Sequence, residues 1–429
     1  MTSLYLLLWI VGAIVLQLVI YLSIGFWRHW VNYLALRHTV SKIGLPVTAP
    51  LPVAEPEPTA AAWPGFRTFQ VMHKVMEDGA KDICSFHLAP LEPLTLPPFL
   101  PGQFLTFRLE VPSLGGAGTE FITRCYSLSD APQANSYRVS IKRAPSPAGS
   151  PHPPGRSSNY FHDQVQVGSL LQVRAPSGHF HIDHSDAPVV LIGGGIGVTP
   201  MLSMLNWVLM TQPEREVWLF YGARQSQELM TQPHLNALAA LHANFHLHIC
   251  LSQPGNDDEL GQNFQHQGRI NIDLLRHLLP LKPYHFYLCG PSPLLQSMVP
   301  ALEDWGVPDA RIHFEAFGPS SVKRKSVSAK PTVAANAANA APADTALTVT
   351  FANSGQHFSW NAGIGNLLDF AESHGIAVDS GCRAGGCGSC QTSIVAGEVS
   401  YQQAPDYDPE PGTCLMCVCT PKTSVTLEL

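Results

Sequence analysis

The sequence predicts a multidomain chain: an N-terminal transmembrane helix, an antiparallel β-barrel, an α/β domain and a small α+β module. Three observations carry this. An apolar run opens the chain. The hydrophobic period then changes from short alternating segments to buried strands interleaved with helical stretches. Finally, 6 of the 10 cysteines fall in the last 48 residues. At 429 residues there is room for two or three domains, and 45% hydrophobic residues exclude wholesale disorder. A net charge of -7 without a basic patch argues against a nucleic-acid partner.

Residues Leu4 to Trp27 are apolar with mild interruptions such as Gln17 and Ser23. At ~1.5 Å per residue, a helix of this length crosses the roughly 30 Å hydrocarbon layer. No positive residue precedes the run and no A-x-A-like site follows closely, which argues against a cleaved signal peptide. Trp9, Trp27, Trp30 and Tyr33 suit the headgroup level. Arg28, Arg37 and Lys42 follow the run, and no acidic residue occurs before Glu55. The positive-inside rule therefore predicts a single-pass protein of the inner (cytoplasmic) membrane with its body on the cytoplasmic side. Residues 1–43 read as anchor and juxtamembrane helix. Residues 44–64, with Pro46, Pro50, Pro52, Pro56, Pro58 and Pro64, read as a semi-rigid stalk.

Residues 65–183 contain FRTFQVMHKV, SFHLAP, QFLTFRLEV, YRVSIKRA and LLQVRAPSG, short strands punctuated by Gly and Pro, which suggest a barrel. Residues 184–319 alternate buried strands (VVLIGG, EVWLFYGA, FHLHICL, HFYLCGP) with helical stretches (MLSMLNWVLM, QPHLNALAALHA), the pattern of a parallel sheet. Residues 320–345 have low complexity and read as a flexible tether. The last module, 346–429, opens with a hairpin pattern and contains a short helix, LLDFAESHG, closed by Gly375.

Two motifs carry chemistry. Cys382-x4-Cys387-x2-Cys390, followed after 26 residues by Cys417, has plant-type [2Fe–2S] spacing. Gly381, Gly385, Gly386 and Gly388 let the loop wrap closely enough for N–H groups to reach the sulfurs. Zinc is the alternative, but it favours paired CxxC knuckles. The spacing leaves Cys414, Cys417 and Cys419 open as the fourth ligand. The second motif is Gly193-Gly194-Gly195-Ile196-Gly197-Val198-Thr199-Pro200, between a buried strand and a helix. Such a turn lets a pyrophosphate approach the backbone at Gly194, Gly195 and Gly197 and meet N–H donors at the helix start. Thr199 is the expected N-cap and Pro200 a first-turn residue.

Six further segments then appear in order: Pro101-Gly102-Gln103-Phe104; Arg124-Cys125-Tyr126-Ser127; Ser140-Ile141-Lys142-Arg143; Gly155-Arg156-Ser157-Ser158-Asn159-Tyr160; Tyr287-Leu288-Cys289-Gly290-Pro291; and Phe314-Glu315-Ala316-Phe317-Gly318. With these, residues 66 to 429 resemble the ferredoxin–NADP reductase superfamily, in the oxygenase-reductase layout with a C-terminal plant-type ferredoxin domain of β-grasp type. The resemblance implies a flavin held by Arg124, Tyr126, Ser127, Ile141, Lys142, Ser158 and Asn159, with Arg124 on phosphate and Ser127 near the reactive ring nitrogen. It implies a nicotinamide beside Cys289, Gly290 and Pro291, with Phe317 and Arg224 also lining the cofactor sites. Cys289 and Ser127 are the implied catalytic pair. The Cys-Val-x-x-Pro run of plant-type ferredoxins falls on Cys417, implying Cys382, Cys387, Cys390 and Cys417 as cluster ligands. The Pro-rich insertion Ala144 to Pro154 leaves FAD or FMN open, with Gly155–Tyr160 favouring FAD; NADH is expected over NADPH.

The function implied is a membrane-anchored reductase that passes electrons from NADH through FAD and a [2Fe–2S] cluster to an acceptor protein, a membrane or lipid-modifying oxygenase or desaturase. Two alternatives remain: the reductase of a soluble Rieske oxygenase or hybrid-cluster protein, and a redox-sensing module that does not turn over.

Overall fold

The computed structural model describes residues 63, 65–92, 95–113, 118–146, 153–317 and 347–429, the last stretch without 377, 379, 382, 384, 386, 387, 402–404 and 406–408, together with Gln17. The expected anchor, most of the stalk and the tether lie outside the described residues. Among the described residues, no helix is long and apolar enough to cross a membrane.

Six antiparallel strands open the described chain: β1 (Arg67–Met76), β2 (Ile83–Pro90), β3 (Phe104–Pro112), β4 (Thr119–Ser127), β5 (Tyr137–Lys142) and β6 (Leu170–Val173), in the order β4-β3-β6-β1-β2-β5. An antiparallel bridge from Leu128, just past β4, to Val139 on β5 closes the sheet on itself as a barrel. Alternation does the sorting. On β3, Leu105, Phe107, Leu109 and Val111 are buried while Arg108 and Glu110 face out. Phe69, Phe86, Phe107 and Tyr137 fill the interior, each stabilising the barrel by about 1.5–3 kcal/mol through burial. Trp63, expected in the stalk, belongs to this core: it is buried, and its indole donates to the Val173 carbonyl at 3.3 Å. Its ring needs apolar cover that a solvated stalk lacks.

Helix α1 (Arg156–Asp163) is pinned to the barrel by Phe161, whose ring meets Phe86, Phe107 and Tyr126 at 5.2–5.3 Å. Lys74 closes its C-terminal end, donating to the carbonyls of His162 and Val165 at 2.7 and 2.8 Å.

The second body is a six-stranded parallel sheet of β7 (Val189–Gly194), β8 (Val217–Ala223), β9 (Phe245–Leu251), β10 (His266–Gln267), β11 (His285–Gly290) and β12 (Ile312–Ala316), ordered β10-β9-β8-β7-β11-β12. Helices α2 (Val198–Thr211) and α3 (Gln232–Leu241) cover one face. Helices α4 (Ile272–Leu278) and α5 (Ser292–Asp304) cover the other. Both faces of β7 are therefore buried, which explains its unbroken apolar run. The order reverses beside β7, so β7 and β11 flank the switch point where such sheets bind ligands.

The third body joins β13 (Thr348–Phe351), β14 (Gln356–Ser359), β15 (Gln391–Ala396), β17 (Thr413–Leu415) and β19 (Val425–Leu427) in a mixed sheet ordered β14-β13-β19-β15-β17. Strands β16 (Val399–Tyr401) and β18 (Cys419–Pro421) form a separate pair. Helix α6 (Leu367–Ser373), capped by the Asn366 side chain, buries Leu367, Leu368, Phe370 and Ala371 in this body.

Candidate active site

The switch point gathers the main cluster. Cys289, near the end of β11, lies in register with Gly193 of β7 on one side and Glu315 of β12 on the other. Gly197 packs so tightly against this corner that a Cβ there would sit 2.3 Å from the Cys289 carbonyl oxygen. Only glycine fits, and Gly195 beside it holds a left-handed φ of 54°. A 3₁₀ turn over Gly195–Gly197 runs straight into α2, so Gly197 and not Thr199 is the N-cap. Thr199 is instead buried in the first turn, donating to the Ile196 carbonyl at 2.9 Å. Pro200 does stand in the first turn, where its missing N–H costs nothing.

From the barrel side, Ser127 at the end of β4 hydrogen-bonds the Glu315 carboxyl. Burial pushes that carboxyl up to about 8, the Ser127 bond working weakly the other way, so it is neutral at pH 7. Its Oε2 is buried with no hydrogen-bond partner among the described residues. Burial, reinforced by Glu315, also holds the Cys289 thiol well above its ordinary range, so it carries S–H and not thiolate. A neutral acid with an orphaned oxygen at a cleft fits a ligand that brings a donor, such as a carboxamide. Glu315 lies within the Phe314–Gly318 segment, where the resemblance implies no role for it. The available signal was an acidic residue inside a β12 pattern that is otherwise largely apolar.

The remaining barrel residues form a second, anion-type cluster. Tyr126 packs edge-on against Phe107 and Phe161, its hydroxyl 2.8 Å from Ser157 Oγ on the first turn of α1. Ser158 and Asn159 bond locally: Ser158 Oγ to the Ala144 amide and Gly155 carbonyl, Asn159 Nδ2 to the carbonyls of Ala144 and Gly155. These bonds fix the turn that starts α1, and a helix N-terminus suits phosphate. Arg124 adds a cation, donating to the carbonyls of Thr123 at 2.7 Å and Ser380 at 3.5 Å. Ile141 presents no side chain to a ligand; it is buried in the barrel core and its carbonyl is taken by His162 Nε2. Phe317, just past β12, is 41% exposed.

Lys142 and Arg224 meet at Glu228, which the sequence reading passed over. Its carboxylate lies 4.0 Å from Lys142 Nζ and 2.7 Å from an Arg224 guanidinium nitrogen.

In the third body, Cys390 and Cys417 are buried at 3% and 5% exposure. The Met416 amide donates to the Cys390 carbonyl at 3.2 Å, which brings the two segments side by side. The Cys414 and Cys419 thiols are hydrogen-bonded to each other and fully buried. Cys382 and Cys387 lie outside the described residues. Arg383, at a left-handed φ of 56°, forks to Asp369 at 3.1 Å and to Glu372, tying this loop to α6. Buried sulfurs beside a turn-rich loop suit a thiolate-held cluster.

Residues 71–182 match a family model described as an oxidoreductase FAD-binding domain, 191–299 an oxidoreductase NAD-binding domain, and 349–422 a 2Fe-2S iron-sulfur cluster binding domain. A flavohemoprotein of Bordetella pertussis is 38% identical over 262 residues, 61% of this chain and 62% of the relative. The chain thus spans less than two thirds of the length of that relative. The flavohem-like FAD/NAD binding domain of nitric oxide dioxygenase from Vibrio cholerae O1 biovar El Tor is 32% identical, with a TM-score of 0.51, over 59% of this chain and 100% of that one. An intact type IV self-sufficient cytochrome P450 monooxygenase shares the fold, with a TM-score of 0.52 at 22% identity over 85% of this chain and 41% of that one.

Proposed function

Because the chain belongs to the ferredoxin–NADP reductase superfamily, with FAD-binding, NAD-binding and [2Fe–2S] domains in that order, we propose that it is an NADH-dependent reductase that delivers electrons singly to an acceptor protein. The observation that carries this is the meeting of Ser127, Cys289, Glu315 and the Gly193–Gly197 turn at one corner of the parallel sheet. When bound, FAD takes an electron pair as hydride from the nicotinamide and the cluster carries electrons one at a time.

The chain's own residues prepare that exchange. Gly197 lets a dinucleotide backbone reach the corner. Glu315, kept neutral by burial, offers its orphaned oxygen, and Ser127 orients it. Cys289 supplies a small uncharged contact next to Glu315. Arg124 and the N-terminus of α1 hold flavin phosphate, the diphosphate of FAD suiting two such donors. Glu228 half-neutralises Arg224 and would repel a 2′-phosphate, which favours NADH. Cys417 is the fourth cluster ligand in this reading, because the Cys-Val-x-x-Pro run falls on it and the preceding Met416 amide bonds the Cys390 carbonyl.

The acceptor in this proposal is an oxygenase, desaturase or similar enzyme. Kinship to part of a nitric oxide dioxygenase favours an oxygen-using one. The run Leu4–Trp27 anchors the chain in the cytoplasmic membrane, with Arg28, Arg37 and Lys42 keeping the body on the cytoplasmic side. The test is the purified full chain with NADH and cytochrome c. Flavin absorption and NADH-driven reduction of cytochrome c support the proposal; absence of both sinks it. Fractionation with and without residues 1–43 separately tests the anchor.

A further inference from the structure

The loop that carries Arg224 and Glu228 is not supported by its own domain alone. Within that domain, the Tyr221 hydroxyl accepts from the Met230 amide at 3.0 Å, and the Asp258 carboxylate accepts from the Ser226 amide at 3.2 Å. The Gln253 amide also donates to the Arg224 carbonyl at 2.9 Å, and the barrel adds a second set of contacts. The turn between β1 and β2 lies against the loop, and the Ala80 amide donates to the Gln227 carbonyl at 2.8 Å. The Thr231 amide donates to the Glu77 carbonyl at 3.2 Å. A Cβ on Gly79 would touch Gln227 at 3.5 Å.

Two features show that this contact sets a geometry. Thr231 holds φ at 52°, a region a β-branched residue occupies only when its surroundings impose it, and its amide is one of the groups the barrel turn binds. The turn itself is braced for the task. The Asp78 carboxylate accepts from the amides of Asp82 and Ile83 at 2.8–3.2 Å, and the Asp82 carbonyl accepts from the Arg143 amide at 2.7 Å. Arg143 directly follows Lys142, which faces the same Glu228. One braced turn therefore joins β5 to the loop that carries Arg224 and Glu228.

We infer that the Glu77–Asp82 turn of the barrel is a positioning element of the dinucleotide site, with Asp78 as its organising residue, and that it sets discrimination between NADH and NADPH by holding Arg224 and Glu228 in place. This rests on the reading of that loop given above. Asp78 touches no cofactor in this account; it acts through Ala80, Gln227 and Thr231.

The test uses the full chain with NADH, NADPH and ferricyanide. Asp78→Ala removes the brace. Gly79→Val wedges the turn away from Gln227 without altering the barrel interior. Both, when flavin-loaded, are expected to raise KM for NADH about tenfold and to shrink the NADH-to-NADPH ratio of kcat/KM about tenfold, with kcat changed by less than about twofold. Asp78→Asn keeps an acceptor oxygen and is expected to stay near the starting values. Should Asp78→Ala lose its flavin, Gly79→Val decides. An unmoved ratio and KM in a flavin-loaded variant overturn the role of the turn while leaving the reductase reading intact. A starting enzyme that oxidises neither nucleotide removes the reading underneath, and this inference with it.

Discussion

Glu315→Gln is the perturbation with the clearest arithmetic. The glutamine keeps the shape and a partner for Ser127 but cannot titrate. Moving a carboxyl from its ordinary 4.5 to about 8 corresponds to about 5 kcal/mol. Between those values the folded protein keeps a proton that the unfolded chain has released. This group's stabilisation is therefore complete below pH 4.5 and is lost as pH rises through 8. From pH 6 to pH 9 the loss is about 3 kcal/mol, or about 4 °C in melting temperature for the compact unit Thr59–Leu429. The assay is thermal unfolding at pH 6 and pH 9 of the flavin-loaded parent and Glu315→Gln. Other titrating groups are common to both, so subtracting the two pH dependences isolates this carboxyl. The parent is expected to lose that much more than the variant on going to pH 9. Equal pH dependence would refute the reasoning, because it would mean that the carboxyl is already ionised at pH 6.

Other substitutions probe the remaining parts. Gly197→Ala forces a Cβ to 2.3 Å from the Cys289 carbonyl oxygen, so NADH oxidation should fall at least about tenfold while the flavin stays bound, measured by stopped-flow flavin bleaching. Arg124→Ala removes a charge-assisted donor worth about 1.5–3 kcal/mol, so flavin should bind roughly 10–100-fold more weakly in a fluorescence titration. Cys417→Ser should abolish the visible absorption and iron content of the cluster, whereas Cys414→Ser and Cys419→Ser should retain both. The reverse pattern would move the fourth ligand to one of those two positions.

Some of this molecule was plain in one dimension because its causes are local. The alternation of β3, the unbroken apolar run of β7 and the glycine turn before α2 follow from the period of buried faces and from where side chains cannot fit. The strand carrying Arg124, Tyr126 and Ser127 was legible as a motif but not as a strand, since Thr119–Phe121 at its start are exposed and break the alternation. Thr199 misled because a 3₁₀ turn moved the helix start two residues upstream, which no capping preference anticipates. Glu315 and Glu228 escaped because their meaning lies in what they touch.

The order of segments, the turn chemistry and the cysteine spacing were determined by the sequence alone, because each is written in residue types and their intervals along the chain. The tertiary structure alone decided that Glu315 would be neutral and that a barrel turn would hold the loop of Arg224. Those outcomes depend on desolvation and on hydrogen bonds between residues many positions apart, and such contacts exist only once the chain has closed upon itself.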